Sequence, residues 1–246
     1  MENVRKRVLM FHAALVAGLG VISHGSSAGA QIFANFEDGT PDGFGTLTNS
    51  SGVTANTFSS PTAGSVITPG TGTDTTKVLD LTASGFNGGL STGADLGFDF
   101  VANGLTSQFL ANDILSFQWE VAPGTESTGY SQLYNIILNA PGAGFTSVGG
   151  SSGATSPLAV TTGTVNQNPP FSGQLNTVSI NYDAYKAAIT ASPGYIQFAI
   201  QTNDSNPPTD FYFDNFTLST VPEPASASLL GLGGLSLMLR RKNKTA

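Results

Sequence analysis

The chain has 246 residues, no cysteine and a formal net charge of −7. Its charge is unevenly spread: residues 31–220 hold fourteen Asp and Glu against two lysines, Lys77 and Lys186, a net of −12, with no arginine or histidine. Such a surface repels phosphate backbones and excludes nucleic acid as a partner. The missing His and Cys exclude Ser-His-Asp and Cys-His nucleophiles and imidazole–zinc sites. Without disulfides the 190 residues of this stretch must rest on their core, and they suffice for one domain.

In chain order, Met1 to Ala30 reads as a secretory signal peptide. Arg5, Lys6 and Arg7 form its basic start, Val8 to Ile22 its apolar run, and Ala28-Gly29-Ala30 its cleavage site, so Gln31 is the expected mature N-terminus. Gln31 to Glu37 predicts a strand with Ile32, Ala34 and Phe36 inward, followed by turns at Asp38-Gly39 and Pro41-Asp42-Gly43. Short β-prone stretches lie near 44–48, 52–58 and 64–68, and clearer strands at Thr76–Thr82 and Leu96–Val101. Asp113–Val121 alternates: Leu115, Phe117, Trp119 and Val121 point one way, Ser116, Gln118 and Glu120 the other. That phase puts the lone Trp119 in the core. Tyr130–Asn139 is the next strand. The Gly-, Ser- and Thr-rich stretch Ala140–Pro170 predicts two edge strands and a long loop.

Gln174–Tyr182 reads as a strand. Asp183–Thr190 is the one helix predicted, with Asp183 as its N-cap. Gly194–Thr202 places Ile196, Phe198 and Ile200 inward, and Thr209–Thr220 is the last strand. About ten short strands bounded by turn residues, without alternating helices, predict an all-β fold, an antiparallel β-sandwich spanning 31–220.

The last residues, 221–246, have three parts in fixed order. Val221-Pro222-Glu223-Pro224 is held extended by its prolines, Ala225 to Leu239 is apolar, and Arg240, Arg241, Lys242 and Lys244 close the chain. This order resembles the PEP-CTERM sorting signal. The resemblance implies an exosortase-type membrane protease as partner, an inner-membrane-anchored precursor, and a destination at the cell surface or extracellular matrix. The apolar run would span about 22 Å as a transmembrane helix, short of the roughly 30 Å hydrocarbon core. Basic residues after it place the C-terminus in the cytoplasm. The expectation is a temporary anchor, cut near residue 224.

Phe36-Glu37-Asp38-Gly39 and Tyr212-Phe213-Asp214-Asn215-Phe216-Thr217-Leu218 resemble the opening and closing segments of jelly-roll domains of the carbohydrate-binding-module type. The resemblance implies a structural calcium held by Glu37 and Asp214, with carbonyls from the 74–77 turn. The residues themselves add a reason. Asp214 lies in phase with Phe216 and Leu218, and a carboxylate among apolar groups is costly unless paired; oxygen ligands suit a hard divalent ion. The alternative is that Asp214 caps a turn or faces solvent, because Phe211 and Phe213 occupy the opposite phase.

For a ligand, Gln118, Glu120, Asn135, Asn139, Tyr195, Gln197 and Gln201 occupy polar phases of three central strands and are the candidate sugar-binding face. The function expected is therefore a non-enzymatic exported protein that binds extracellular polysaccharide or acts structurally. The alternative is a glycoside hydrolase or lyase of β-sandwich fold. Hydrolysis needs two acids roughly 5–9 Å apart. Glu120 is the best-placed acid, and the sequence identifies no partner for it.

Overall fold

The computed structural model describes residues 29–45, 64–68, 76–83, 96–125, 129–151, 160–167, 175–191, 194–204 and 209–221. Residues 1–28, where a signal peptide is expected, the β-prone stretch 52–58, and residues 222–246, where a transmembrane helix is expected, lie outside the described residues. Among the described residues no helix is long and apolar enough to cross a membrane.

Among the described residues, twelve strands form two sheets. They are β1 (Gln31–Ala34), β2 (Ser65–Ile67), β3 (Val78–Ala83), β4 (Leu96–Asp99), β5 (Ile114–Val121), β6 (Ser131–Ala140), β7 (Gly144–Gly149), β8 (Val160–Thr162), β9 (Asn166–Gln167), β10 (Asn176–Asn181), β11 (Gln197–Asp204) and β12 (Thr209–Ser219). The seven-stranded sheet runs β2-β3-β12-β5-β10-β8, with β1 beside the second half of β12. The five-stranded sheet runs β4-β11-β6-β7, with β9 beside β6. Every described pairing is antiparallel.

The sheets face each other across a core rich in phenylalanine. Phe117 of β5 meets Phe198 of β11 at 5.8 Å between ring centroids, and Phe33 of β1 meets Phe98 of β4 at 5.0 Å. Burying a side chain of this size contributes roughly 1.5–3 kcal/mol. Trp119 is buried, stacks on Phe211, and donates its Nε1–H to Thr164 O at 2.8 Å, which answers its polar atom.

Two irregularities correct the strand phases read from the sequence. The β1–β12 register shifts between Ile32 and Ala34. Ile32 is consequently 54% exposed, and Phe33, expected outward, packs on Phe98 and Phe100. The β12–β5 register shifts between Asp214 and Thr217, and Asn215 adopts φ 50. This bulge changes the phase mid-strand, so that Phe211 and Phe213 before it and Phe216 and Leu218 after it all enter the core. Asp214 therefore belongs with outward-facing Asp210 and Tyr212, not with Phe216 and Leu218.

The helices also differ from expectation. A helix not predicted, α1 (Thr106–Ala111), buries Phe109 against Tyr182, rings stacked at 4.2 Å, and the Tyr182 hydroxyl donates to Phe109 O. The predicted segment forms a 3-10 turn, Asp183–Tyr185, leading into α2 (Lys186–Thr190). Asp183 is not the N-cap: Tyr182 and Tyr185 occupy the two cap positions without a side-chain cap bond, and the Asp183 N–H donates to Asn181 Oδ1 at 3.0 Å in an Asx turn.

Candidate functional site

The loop after β1 is organised by its own acids. Asp42 Oδ2 accepts the N–H groups of Asn35 and Phe36 at 2.9 and 2.7 Å, holding Phe36 at φ 58. Asp38 Oδ1 accepts both the N–H and the hydroxyl of Thr40. Glu37 then meets the segment before β3: its Oε1 accepts the Lys77 N–H at 3.2 Å, and Lys77 Nζ donates to Glu37 O at 2.7 Å. Lys77 is thus in contact with Glu37, while residues 74 and 75 of the expected 74–77 turn lie outside the described residues.

Asp214 is 2% exposed. Its Oδ1 accepts the Asn215 N–H at 2.7 Å and its Oδ2 the Asn215 Nδ2–H at 2.9 Å. Ala34 pairs with Phe216, which brings the chain entering Glu37 beside the bulge carrying Asp214. Both carboxylates offer only oxygen, the donor type that suits a hard cation. Among the described residues no group of three or more His, Asp or Glu side chains gathers for a metal.

The amides proposed as one ligand face are divided between the two sheets, because β5 and β11 belong to different ones. On the outer side of the five-stranded sheet, Asn139 Nδ2 donates to Gln197 Oε1 at 3.0 Å and Gln197 Nε2 to Asp99 Oδ2 at 3.4 Å. Asn135 accepts from Ser147 and lies opposite Gln201. Asn135, Asn139, Gln197 and Gln201 are all buried. Tyr195, just before β11, is half-buried. Gln118 and Glu120 stand instead on the outer side of the seven-stranded sheet.

That outer side holds the cluster that sequence reasoning missed. Tyr212 of β12 is opposite Asp80 of β3 on one side and opposite Glu120 of β5 on the other. Opposed residues share a sheet face. Asp80 and Glu120 therefore flank the tyrosine, with backbones two strand spacings, about 10 Å, apart. Asp210 and Asp214 continue the row along β12, Thr82 donates to Asp210 Oδ1 at 2.6 Å, and Gln118 lies opposite Asp214.

Asp80, Tyr212, Asp210 and Gln118 are half-buried, whereas Glu120 is 0% exposed. Burial, with the Asp210 charge second, pushes the Asp80 carboxyl up to about 6. Burial likewise raises the Tyr212 phenol, helped by Asp80, Asp210 and Glu120. Asp80 Oδ1 has no hydrogen-bond partner among the described residues. The signal was present in the sequence as Asp210-x-Tyr212-x-Asp214, a period-2 row, but the bulge hid the phase of its last member.

No curated protein matches the chain. Among solved structures it is similar to a non-crystalline cellulose specific carbohydrate-binding module, at 14% sequence identity and a TM-score of 0.43, over 79% of this chain and 97% of that one. Residues 220–242 match the PEP-CTERM protein-sorting motif. The chain is thus an exported protein that carries a C-terminal PEP-CTERM sorting signal.

Proposed function

We propose that the exported protein is processed through its tail by an exosortase-type protease and carried to the cell surface or matrix, where the sandwich binds neutral polysaccharide. The binding surface is the outer face of the seven-stranded sheet, with Tyr212 at its centre and Asp80, Glu120 and Gln118 around it. The observation that carries this reading is the unpartnered Asp80 Oδ1 beside a half-buried tyrosine ring. A buried acceptor without a donor costs free energy, and a sugar hydroxyl is the donor that would relieve it. The Tyr212 ring offers an apolar surface for the C–H face of a pyranose. A net charge of −12 over 31–220 disfavours uronate or sulfated chains and leaves uncharged ones.

The buried amides Asn139, Gln197 and Asn135 are assigned a structural role, because Asn139 and Gln197 bond each other, Gln197 also bonds Asp99, and Asn135 accepts from Ser147. Of the ligand residues expected from sequence, Gln118 and Glu120 stay in the proposal; Gln197 lies on the other sheet and Tyr195 just before its strand β11. The proposal keeps a calcium ion at Glu37 and Asp214. The contact of Glu37 with Lys77 and the all-oxygen donor set support it; Lys77 Nζ on the Glu37 carbonyl is the cation with which the ion would compete.

A second reading is supported by one observation. Asp80, with its raised pKa, and Glu120 flank Tyr212 on one face, and glycoside hydrolysis uses a pair of carboxyl groups. Incubation with neutral polysaccharides separates the readings: retention without new reducing ends supports the binder, and reducing ends lost in both Asp80→Asn and Glu120→Gln support the hydrolase.

A further inference from the structure

The last strand runs into the sorting motif with almost no spacer: β12 ends at Ser219, and the match to the motif begins at residue 220. Asp113, at the start of β5, holds that junction with its main chain and its side chain. Its N–H donates to Ser219 O at 2.9 Å, and its own carbonyl accepts the Tyr182 N–H at 2.8 Å. The carboxylate reaches further. Oδ2 accepts the Val221 N–H at 3.0 Å, two residues past the end of the strand. Oδ1 is ion-paired with Lys186, which also lies 3.5 Å from Asp183 Oδ1.

The main-chain bonds already close the strand, so the carboxylate bond to Val221 is an additional tie. It falls on a particular donor. Pro222 and Pro224 have no N–H, so Val221 offers the last main-chain donor before the Pro-Glu-Pro segment. Proline at 222 also restricts Val221 to extended backbone, which continues the direction of β12. Lys186 is one of only two cations between residues 31 and 220, and here it fixes the carboxylate rather than standing free in solvent. Burial alone would raise the Asp113 carboxyl, but the Lys186 and Val221 hydrogen bonds outweigh it and hold the group below the usual carboxylate range.

We infer that the Asp113–Lys186 pair is a clamp that presents the sorting motif at fixed distance and direction from the folded sandwich, so that the processing protease reads the motif together with this end of the domain. The partner surface is the junction of β12, the start of β5 and the 183–186 turn. The partner is a membrane-bound protease that accepts a folded body directly beside its peptide cleft. The inference rests on the reading that the tail is processed. Holding a peptide in its bound direction lowers the ordering cost of recognition; a free tether would restore that cost.

The experiment uses the full-length chain in its native host, with pulse-labelling and intact mass to follow conversion to the processed form. One variant carries a short Gly-Ser insertion between Thr220 and Val221. A second is Asp113→Ala, which keeps both main-chain bonds of residue 113. A control carries the same insertion after Gly124, in the turn that follows β5. The clamp predicts that the first two are processed on the order of tenfold more slowly than wild type, while the control keeps the wild-type rate and all four unfold at similar temperatures. Processing of the Thr220–Val221 insertion or of Asp113→Ala at the wild-type rate or faster overturns the clamp. A wild-type product still ending at Ala246 overturns instead the reading beneath it.

Discussion

Asn215 Nδ2 donates to Gln118 Oε1 at 2.8 Å, across the place where β12 loses step with β5. The same amide group donates to Asp214 Oδ2 at 2.9 Å, so one side chain ties the bulge both to its neighbour strand and to the preceding carboxylate. Asn215 sits at φ 50, a region that Asn tolerates and β-branched residues do not. Because of this bulge, one strand feeds four apolar residues to the core and still presents Asp210, Tyr212 and Asp214 on the outer face.

Two substitutions separate the backbone from the hydrogen bonds. Asn215→Gly keeps the left-handed backbone but loses the side-chain bonds, and is expected to cost on the order of 1 kcal/mol. Asn215→Val adds the backbone strain and is expected to cost about 1–2 kcal/mol more. Urea unfolding of the two variants checks the order; equal midpoints would show that the left-handed residue carries no strain.

Stability should depend on pH through Asp80. Its folded pKa of about 6 stands above the ordinary value of 3.8, so the folded state holds the proton more tightly than the unfolded chain. Stability from this group is therefore fully present below about pH 4 and is lost as pH rises to about 6, where a charged Asp80 faces Asp210. Asp80→Asn removes that loss. Relative to wild type the variant should gain on the order of 1 kcal/mol between pH 4 and pH 7, a figure reduced for the solvent screening of a half-buried group. Melting temperatures of both proteins across that range test it, and a constant difference would contradict it.

Calcium removal is the third test. If Glu37 and Asp214 hold the ion, a chelator lowers the melting temperature of wild type, because a ligand bound only by the folded state stabilises it by mass action. Glu37→Gln and Asp214→Asn should each abolish the difference between chelated and calcium-loaded samples, whatever their own melting temperatures. A wild-type melt that ignores the chelator ends the assignment.

Much of this fold was legible in the sequence, and the exceptions have physical causes. Strict alternation over Leu115, Phe117, Trp119 and Val121 gave the phase of β5 directly, since a strand buried on one face repeats every two residues. The same rule failed for Ile32 and for Asp214, where a bulge adds one residue and reverses the faces. Helix α1 escaped because it is six residues long and held by a single buried ring, Phe109. Of the candidate site, Gln118 and Glu120 were identified from their own strand. Their neighbours Asp80 and Tyr212 were not, because strand order depends on pairings far apart in the chain. That order also separates Gln118 from Gln197, which local pattern had put together.

Tyr212 and the acids around it are the proposed surface for uncharged polysaccharide. Affinity electrophoresis of residues 31–220 through gels containing neutral glucans or galactans, beside gels containing a uronate polymer, tests it most directly. Wild type should be retarded by at least one neutral polymer and not by the uronate, and Tyr212→Ala should lose most of that retardation, with a binding cost of about 1–3 kcal/mol for a stacking ring, while keeping the wild-type unfolding midpoint. Retardation by no neutral polymer, or retardation that survives Tyr212→Ala unchanged, would contradict the account.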